Sequence, residues 1–154
     1  MILSEHFYVD EFTRSDKAAS LGIDNRLPDE LFNSACKTAE MLEHIRDALL
    51  LASGRTCPIK LNSGYRCLSL NRALGSKDTS DHLKAAAADF VSPAFGTPKE
   101  ICELLVPQMS VLGIGQIIYE KTWVHVSRIT PANSANRVLT LTKQGGYAPG
   151  ITDQ

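Results

Sequence analysis

Two histidines and one aspartate are the residues of this chain best equipped for chemistry. His82 lies in Ser80-Asp81-His82-Leu83-Lys84, Asp89 follows a run of alanines, and His125 sits in Trp123-Val124-His125-Val126-Ser127. Two imidazoles and a carboxylate are typical zinc ligands, and three protein ligands leave the fourth tetrahedral position open to a water nucleophile. The set reads as a site for one Zn2+ ion in a hydrolase. Each member also has a plainer reading. A single histidine is often just a satisfied polar group. Asp89, placed between alanines and Phe90, needs a partner if ionised and could find it in Arg66 or Arg72.

Glu120 precedes His125 by a few residues. A zinc hydrolase needs a group that takes a proton from the attacking water and returns one to the leaving amine. If the residues between Glu120 and His125 turn a hairpin, this carboxylate comes back beside the metal face. The alternative is an exposed charge at a hairpin end, since turns are normally polar.

The elements that must position these residues follow from periodicity. Leu31, Ala35, Ala39, Leu42, Ile45 and Leu49 recur at helical steps behind Pro28, predicting a long helix that walls the core. A short helix is expected over Ser15 to Ser20, closed by Gly22. Thr97-Pro98-Lys99-Glu100 has capping-box spacing with proline at the first helical position, and Pro107 should end or kink the helix it opens.

Strands are expected at Ile59 to Ser63, Ala86 to Val91, Gln116 to Glu120, Thr122 to Ile129 and Arg137 to Thr142, the third and fourth forming an antiparallel hairpin. Period-two alternation then puts Trp123, His125 and Ser127 on one sheet face and Val124 and Val126 on the other, so that His125 faces a cleft. Segregated helices and strands indicate an α+β fold. Residues 1–154 form one expected domain, with a packed N-terminal arm over 1–26 and a C-terminal loop over 145–154.

Composition narrows the function classes. Hydrophobic content of 44% with 21% charged residues is ordinary for a soluble domain, and a net charge of -1 gives no general pull toward nucleic acid or anionic membranes. Cys36, Cys57, Cys67 and Cys102 show no Cys-x-x-Cys spacing and read as reduced thiols rather than a zinc knuckle. Met1 to His6 lack a charged start followed by an apolar stretch, and no run approaches the roughly 18 apolar residues of a membrane span. The expectation is synthesis in the cytoplasm without a signal peptide and no membrane insertion.

The segment Ser80-x-His82-x-x-Ala85-x-Ala87-x-Asp89 resembles the Ser-x-His-x-x-Gly-x-Ala-x-Asp signature of the zinc D-alanyl-D-alanine carboxypeptidases, peptidoglycan peptidases that share a fold with the hedgehog signalling domain. Ser63-Gly64-Tyr65-Arg66, Asn71, Gln116 to Glu120 and Trp123 to Ser127 extend the resemblance, as do Phe12 to Ser15 and Gly22 to Asn25, which are similar to a branch common in phage-associated proteins. The resemblance implies a hedgehog/DD-peptidase-like fold: a small central antiparallel sheet, helices packed on one side, and zinc in a cleft.

It also implies that His82, Asp89 and His125 ligate zinc and that Arg66 and Ser80 contact the substrate carboxylate or nearby backbone, with Trp123 flanking the cleft. Arg66 alternatively makes a structural ion pair. Two departures stand out: Ala85 replaces the family glycine, and Thr122 occupies the position where some branches carry the catalytic glutamate. The implied function is endolysin-like hydrolysis of amide bonds next to D-amino acids in peptidoglycan peptide stems; a monomer is expected, and the expected lack of a signal peptide points to a holin-like release partner. The alternative is a zinc-containing wall-binding or virion structural module of the same fold with little catalysis.

Overall fold

The computed structural model describes residues 1–154. Two short helices open the chain, α1 (Val9–Thr13) and α2 (Asp16–Leu21). The Ser15 side chain accepts from the Ala18 N–H at the start of α2, and Gly22 closes it in the left-handed region. A single 3-10 turn, Asp29–Leu31, leads into α3 (Phe32–Ser53), which buries Ala35, Ala39, Met41, Leu42, Ile45, Ala48 and Leu49 along one stripe as the periodicity predicts. No helix is long and apolar enough to cross a membrane.

β1 (Lys60–Ser63), α4 (Leu68–Ala73), a 3-10 turn at Asp81–Lys84 and β2 (Ala87–Val91) follow. Next come α5 (Pro98–Leu105) and α6 (Met109–Leu112). Thr97 and Glu100 form the expected reciprocal capping box, and Pro107 sits in a 3-10 turn that separates the two helices. The chain ends in β3 (Gln116–Tyr119), β4 (Val124–Ser127), β5 (Val138–Leu141) and β6 (Tyr147–Pro149).

These strands make one sheet in the order β1-β2-β4-β3-β5-β6. The architecture is α+β, and two details differ from expectation. The sheet is mixed, because β3 and β5 pair in parallel. After β4 the chain crosses the Gln116 end of β3 through residues 128–137 and starts β5 there, so β5 must run in the direction of β3. The second difference is the tail: 145–154 is not all loop, since β6 pairs antiparallel with β5 through a turn at Gly145-Gly146.

The alternation along the strands divides the sheet into two chemistries. Ala88, Phe90, Ile117, Val124 and Val126 are fully buried and meet the stripes of α3 and the Ile101, Cys102 and Leu105 side of α5. Asp89, Ile118 and His125 fall on the opposite face. Arg128 ties the layers together, its guanidinium donating to Thr38 Oγ1, the Ser34 carbonyl and Ser34 Oγ on α3.

Candidate metal centre

Register brings two of the three candidate ligands together. Asp89 in β2 lies directly opposite His125 in β4, and His125 in turn opposes Ile118 in β3. Side chains so placed project from one face within reach of each other. The Nδ1 of His125 is 2.9 Å from Asp89 Oδ1. His82 arrives from the 3-10 turn before β2, with its Nε2 at 3.4 Å from Asp89 Oδ2.

The turn that carries His82 is held from several directions. Ser80 Oγ accepts from the His82 N–H at 3.3 Å, and the Arg66 N–H donates to the His82 carbonyl at 3.1 Å. The turn closes on Ala85, whose φ of 52° lies in the left-handed region. Here alanine stands where the signature this segment resembles has glycine, at a position where glycine's freedom counts, at a cost of order 1 kcal/mol. Helix α3 stabilises the corner from behind: Ser34 Oγ donates to the Lys84 carbonyl at 2.6 Å and Thr38 Oγ1 to the Ala85 carbonyl at 2.7 Å.

The tautomer of His82 follows from one contact. Its Nδ1 is 2.6 Å from the Gly64 carbonyl, which can only accept, so Nδ1 carries a proton and Nε2, facing Asp89 and His125, is the nitrogen left to bind a metal. Gly64 is itself required by packing, because a Cβ there would meet the Phe12 Cα at 2.8 Å and the Phe12 carbonyl at 2.9 Å. The N-terminal arm thus abuts the backbone that orients a candidate ligand. Buried Asn25 extends this support, donating to the Thr13 and Tyr65 carbonyls and accepting from the Cys67 N–H.

His82, Asp89 and His125 each offer one donor atom, and the three donors lie within 4.8 Å of one another. The His82 Nε2 oriented by Gly64, the carboxylate and the second imidazole fit one zinc ion in number and type. Burial would raise the Asp89 pKa, but the imidazoles of His82 and His125 outweigh it and hold the carboxyl well below its usual range. An ionised carboxylate is the form a metal needs.

The ion-pair reading of Asp89 is also met, since Arg66 Nη2 donates to its Oδ2 at 3.1 Å. Arg72 does not take part; it pairs with Asp78 on the surface. Arg66 is further engaged by Ser63 Oγ at 2.9 Å and Asn71 Oδ1 at 3.4 Å, and its side chain is 13% exposed. Burial lowers its pKa against the opposing pull of Asp89 and Glu120. Asn71, fully buried, passes the constraint on by donating to the Lys77 carbonyl at 2.8 Å.

The group opens into a cleft of about 930 Å³ lined by Arg66, Ser80, His82, Asp89, Glu120, Trp123 and His125, together with Tyr147. All seven residues singled out from the sequence therefore face one space. Glu120 closes the edge at the β3–β4 turn, where its N–H donates to the Trp123 carbonyl and Lys121 takes a φ of 69°. Burial raises its pKa and Asp89 adds to this, while His125, Tyr147 and Arg66 pull it down. Trp123 Nε1 is buried without a hydrogen-bond partner.

Tyr147 is one of the lining residues that sequence reasoning did not single out, and the one that touches Glu120. Its hydroxyl donates to Glu120 Oε1 at 3.3 Å. Burial and the neighbouring Glu120 push the phenol up to about 12, so it remains a donor across the working pH range. The available signal was Gly145-Gly146 after a β-prone run, a hairpin mark that would have made the tail a strand.

A protein-family model described as Peptidase M15 matches residues 5–127, which include every candidate site residue named from the sequence. No curated protein matches the chain.

Proposed function

The chain belongs to the Peptidase M15 family, and from that premise and the geometry of the cleft we propose that it hydrolyses amide bonds next to D-amino acids in the peptide stems of bacterial peptidoglycan. The family is zinc-dependent, and membership in it supports a peptidase that acts on peptidoglycan. The observation that carries the reading is the meeting of His82, Asp89 and His125 at the floor of an open cleft, with His82 Nε2 turned inward by the contact of Nδ1 with the Gly64 carbonyl.

In this reading the three side chains hold one zinc ion, which when bound would polarise the scissile carbonyl and activate water. Arg66 balances the charge of Asp89 and fixes its second oxygen. A guanidinium has five N–H donors, and the contacts to Ser63, Asn71 and Asp89 leave the remainder for a substrate carbonyl or carboxylate. Glu120 takes the proton from the attacking water and returns it to the leaving amine. Its raised pKa suits both halves of that task, since a proton carrier works best near the operating pH. Ser80 caps the turn that presents His82 and, with Trp123, borders the space for the peptide stem.

The motif resemblance supports an endolysin-like role for the activity. The test is digestion of purified peptidoglycan by protein carrying one zinc per chain, with muropeptides read by mass spectrometry. The expected result is loss of intact stems, with product masses that separate removal of a terminal D-alanine from a cut within a crosslink. Unchanged muropeptides at full zinc, equal in wild type and Glu120→Gln, would favour the wall-binding module. Full activity after chelation would sink the metallopeptidase reading itself.

A further inference from the structure

The Glu120 carboxylate has a single side-chain hydrogen-bond partner, the phenol of Tyr147, at 3.3 Å from Oε1 and 3.5 Å from Oε2. Sheet register delivers that partner. Tyr119 opposes Thr140 across the parallel β3–β5 pair, and Leu141 opposes Tyr147 across β5–β6. Glu120, Leu141 and Tyr147 thus share one row spanning two strand spacings, roughly 9.6 Å. A phenol and a glutamate reaching toward each other close that gap.

The strand that carries Tyr147 is fixed independently of the cleft. The Thr142 N–H donates to the Gly146 carbonyl at 2.8 Å, the Gly150 N–H to the Val138 carbonyl at 2.8 Å, and Thr140 Oγ1 to the Gly150 carbonyl at 2.7 Å. Tyr147 also lies beyond residues 5–127, the part of the chain matched by the family model. What the matched segment leaves undone, the C-terminal hairpin supplies: a donor that fixes where the Glu120 carboxylate points.

We propose that Tyr147 is a positioning residue for Glu120, its hydroxyl holding the carboxylate in the orientation that accepts a proton from water in the cleft. The proposal rests on the reading of Glu120 as the proton carrier. A phenol is suited to this, since it donates a hydrogen bond without bringing a charge that would compete with Arg66 for Asp89. The hydroxyl does no bond-making of its own, so its removal weakens the chemical step and leaves substrate binding alone.

The experiment compares wild type, Tyr147→Phe, Glu120→Gln and the double variant, each zinc-loaded, on a purified crosslinked muropeptide. Tyr147→Phe should lower kcat about tenfold with KM unchanged, as expected for loss of one hydrogen bond to a charged group. Zinc content and unfolding temperature should match wild type. The same change made in Glu120→Gln should cost nothing further. An unchanged kcat, a loss carried by KM, or a full second loss in the Glu120→Gln background would each overturn the proposal. Crystal structures of wild type and Tyr147→Phe give a readout that needs no turnover: the Glu120 carboxylate should leave its single position in the variant. A carboxylate fixed in the same place would overturn the proposal. Wild-type protein inert on every muropeptide would instead sink the peptidase reading.

Discussion

The floor of the cleft and its edge are built on different principles. At the floor, Asp89 is held by Arg66 and by both imidazoles, His82 by the Gly64 carbonyl, and the turn behind it by Ser34, Thr38 and Ser80. At the edge, Glu120 follows a four-residue strand, precedes a residue at positive φ, and keeps one long contact to a half-exposed tyrosine. The floor is overdetermined and the edge is not. Donors for a metal must be preorganised to within fractions of an ångström, whereas a proton carrier must exchange partners during the reaction.

If that contrast is right, damage to the floor should cost both the metal and stability. Asp89→Ala leaves the Arg66 guanidinium buried without its carboxylate, and breaking a buried pair in this way costs about 3–5 kcal/mol. Zinc per chain should fall to a small fraction of wild type, and denaturant unfolding should show the stability loss even in metal-free protein. Retained zinc at wild-type stability would break the comparison.

Damage to the edge should cost rate alone. Glu120→Gln keeps the shape of the side chain and removes the proposed proton acceptor, so kcat should fall by about 10²–10⁴-fold while zinc content stays full. Behind the floor lies Gly64, whose carbonyl orients His82 and where a Cβ would meet the Phe12 Cα at 2.8 Å. Gly64→Ala forces one of them to move. Overpacking of this kind costs about 1–3 kcal/mol, and a displaced ligand-orienting group typically weakens metal affinity by about 10–100-fold. Competition with a chromophoric chelator would measure the second effect, with the unfolding midpoint giving the first.

The pH dependence separates the regions without mutation. In the metal-free chain burial raises Glu120 above an ordinary glutamate, about 4.3. The same shift has a stability sign. The folded chain holds this proton more tightly than the unfolded one, so the contribution of Glu120 is complete below the unfolded pKa and is lost as pH rises through the folded pKa. Asp89 has the opposite sign: its lowered pKa gives stability above the unfolded value that is lost on acidification. Chemical denaturation of metal-free Glu120→Gln and wild type across pH 4 to 7 should therefore diverge, the wild type losing ground as pH rises.

The same division governs what could be read from the chain before its fold was in view. Local patterns carried far: the stripe of α3, the Thr97–Glu100 capping box, the β3–β4 hairpin and the alternation that turns His125 away from the core are all set by residues near one another in sequence. The floor inherited that legibility because Asp89 and His125 sit on regular strands. The parallel β3–β5 pairing was hidden because it depends on where residues 128–137 carry the chain. The Gly64 carbonyl left no mark either, since a backbone acceptor has no residue identity. Tyr147 lay in a three-residue strand too short to show alternation, and its role depends on a register two strands away from Glu120.

Ala85 is where the two principles meet, and it predicts the smallest effect. Its φ of 52° favours glycine, and the left-handed backbone costs alanine about 1 kcal/mol. Yet Ala85 is fully buried, and removing its methyl forfeits roughly 0.8 kcal/mol of apolar burial while adding the chain entropy that glycine loses on folding. These contributions nearly cancel. Ala85→Gly should leave stability within about 1 kcal/mol of wild type, and zinc affinity unchanged, because Ser34 and Thr38 hold the neighbouring carbonyls regardless of the side chain. A several-fold rise in zinc affinity in Ala85→Gly would mean that the strain reaches His82, and that the floor is less overdetermined than its hydrogen bonds imply.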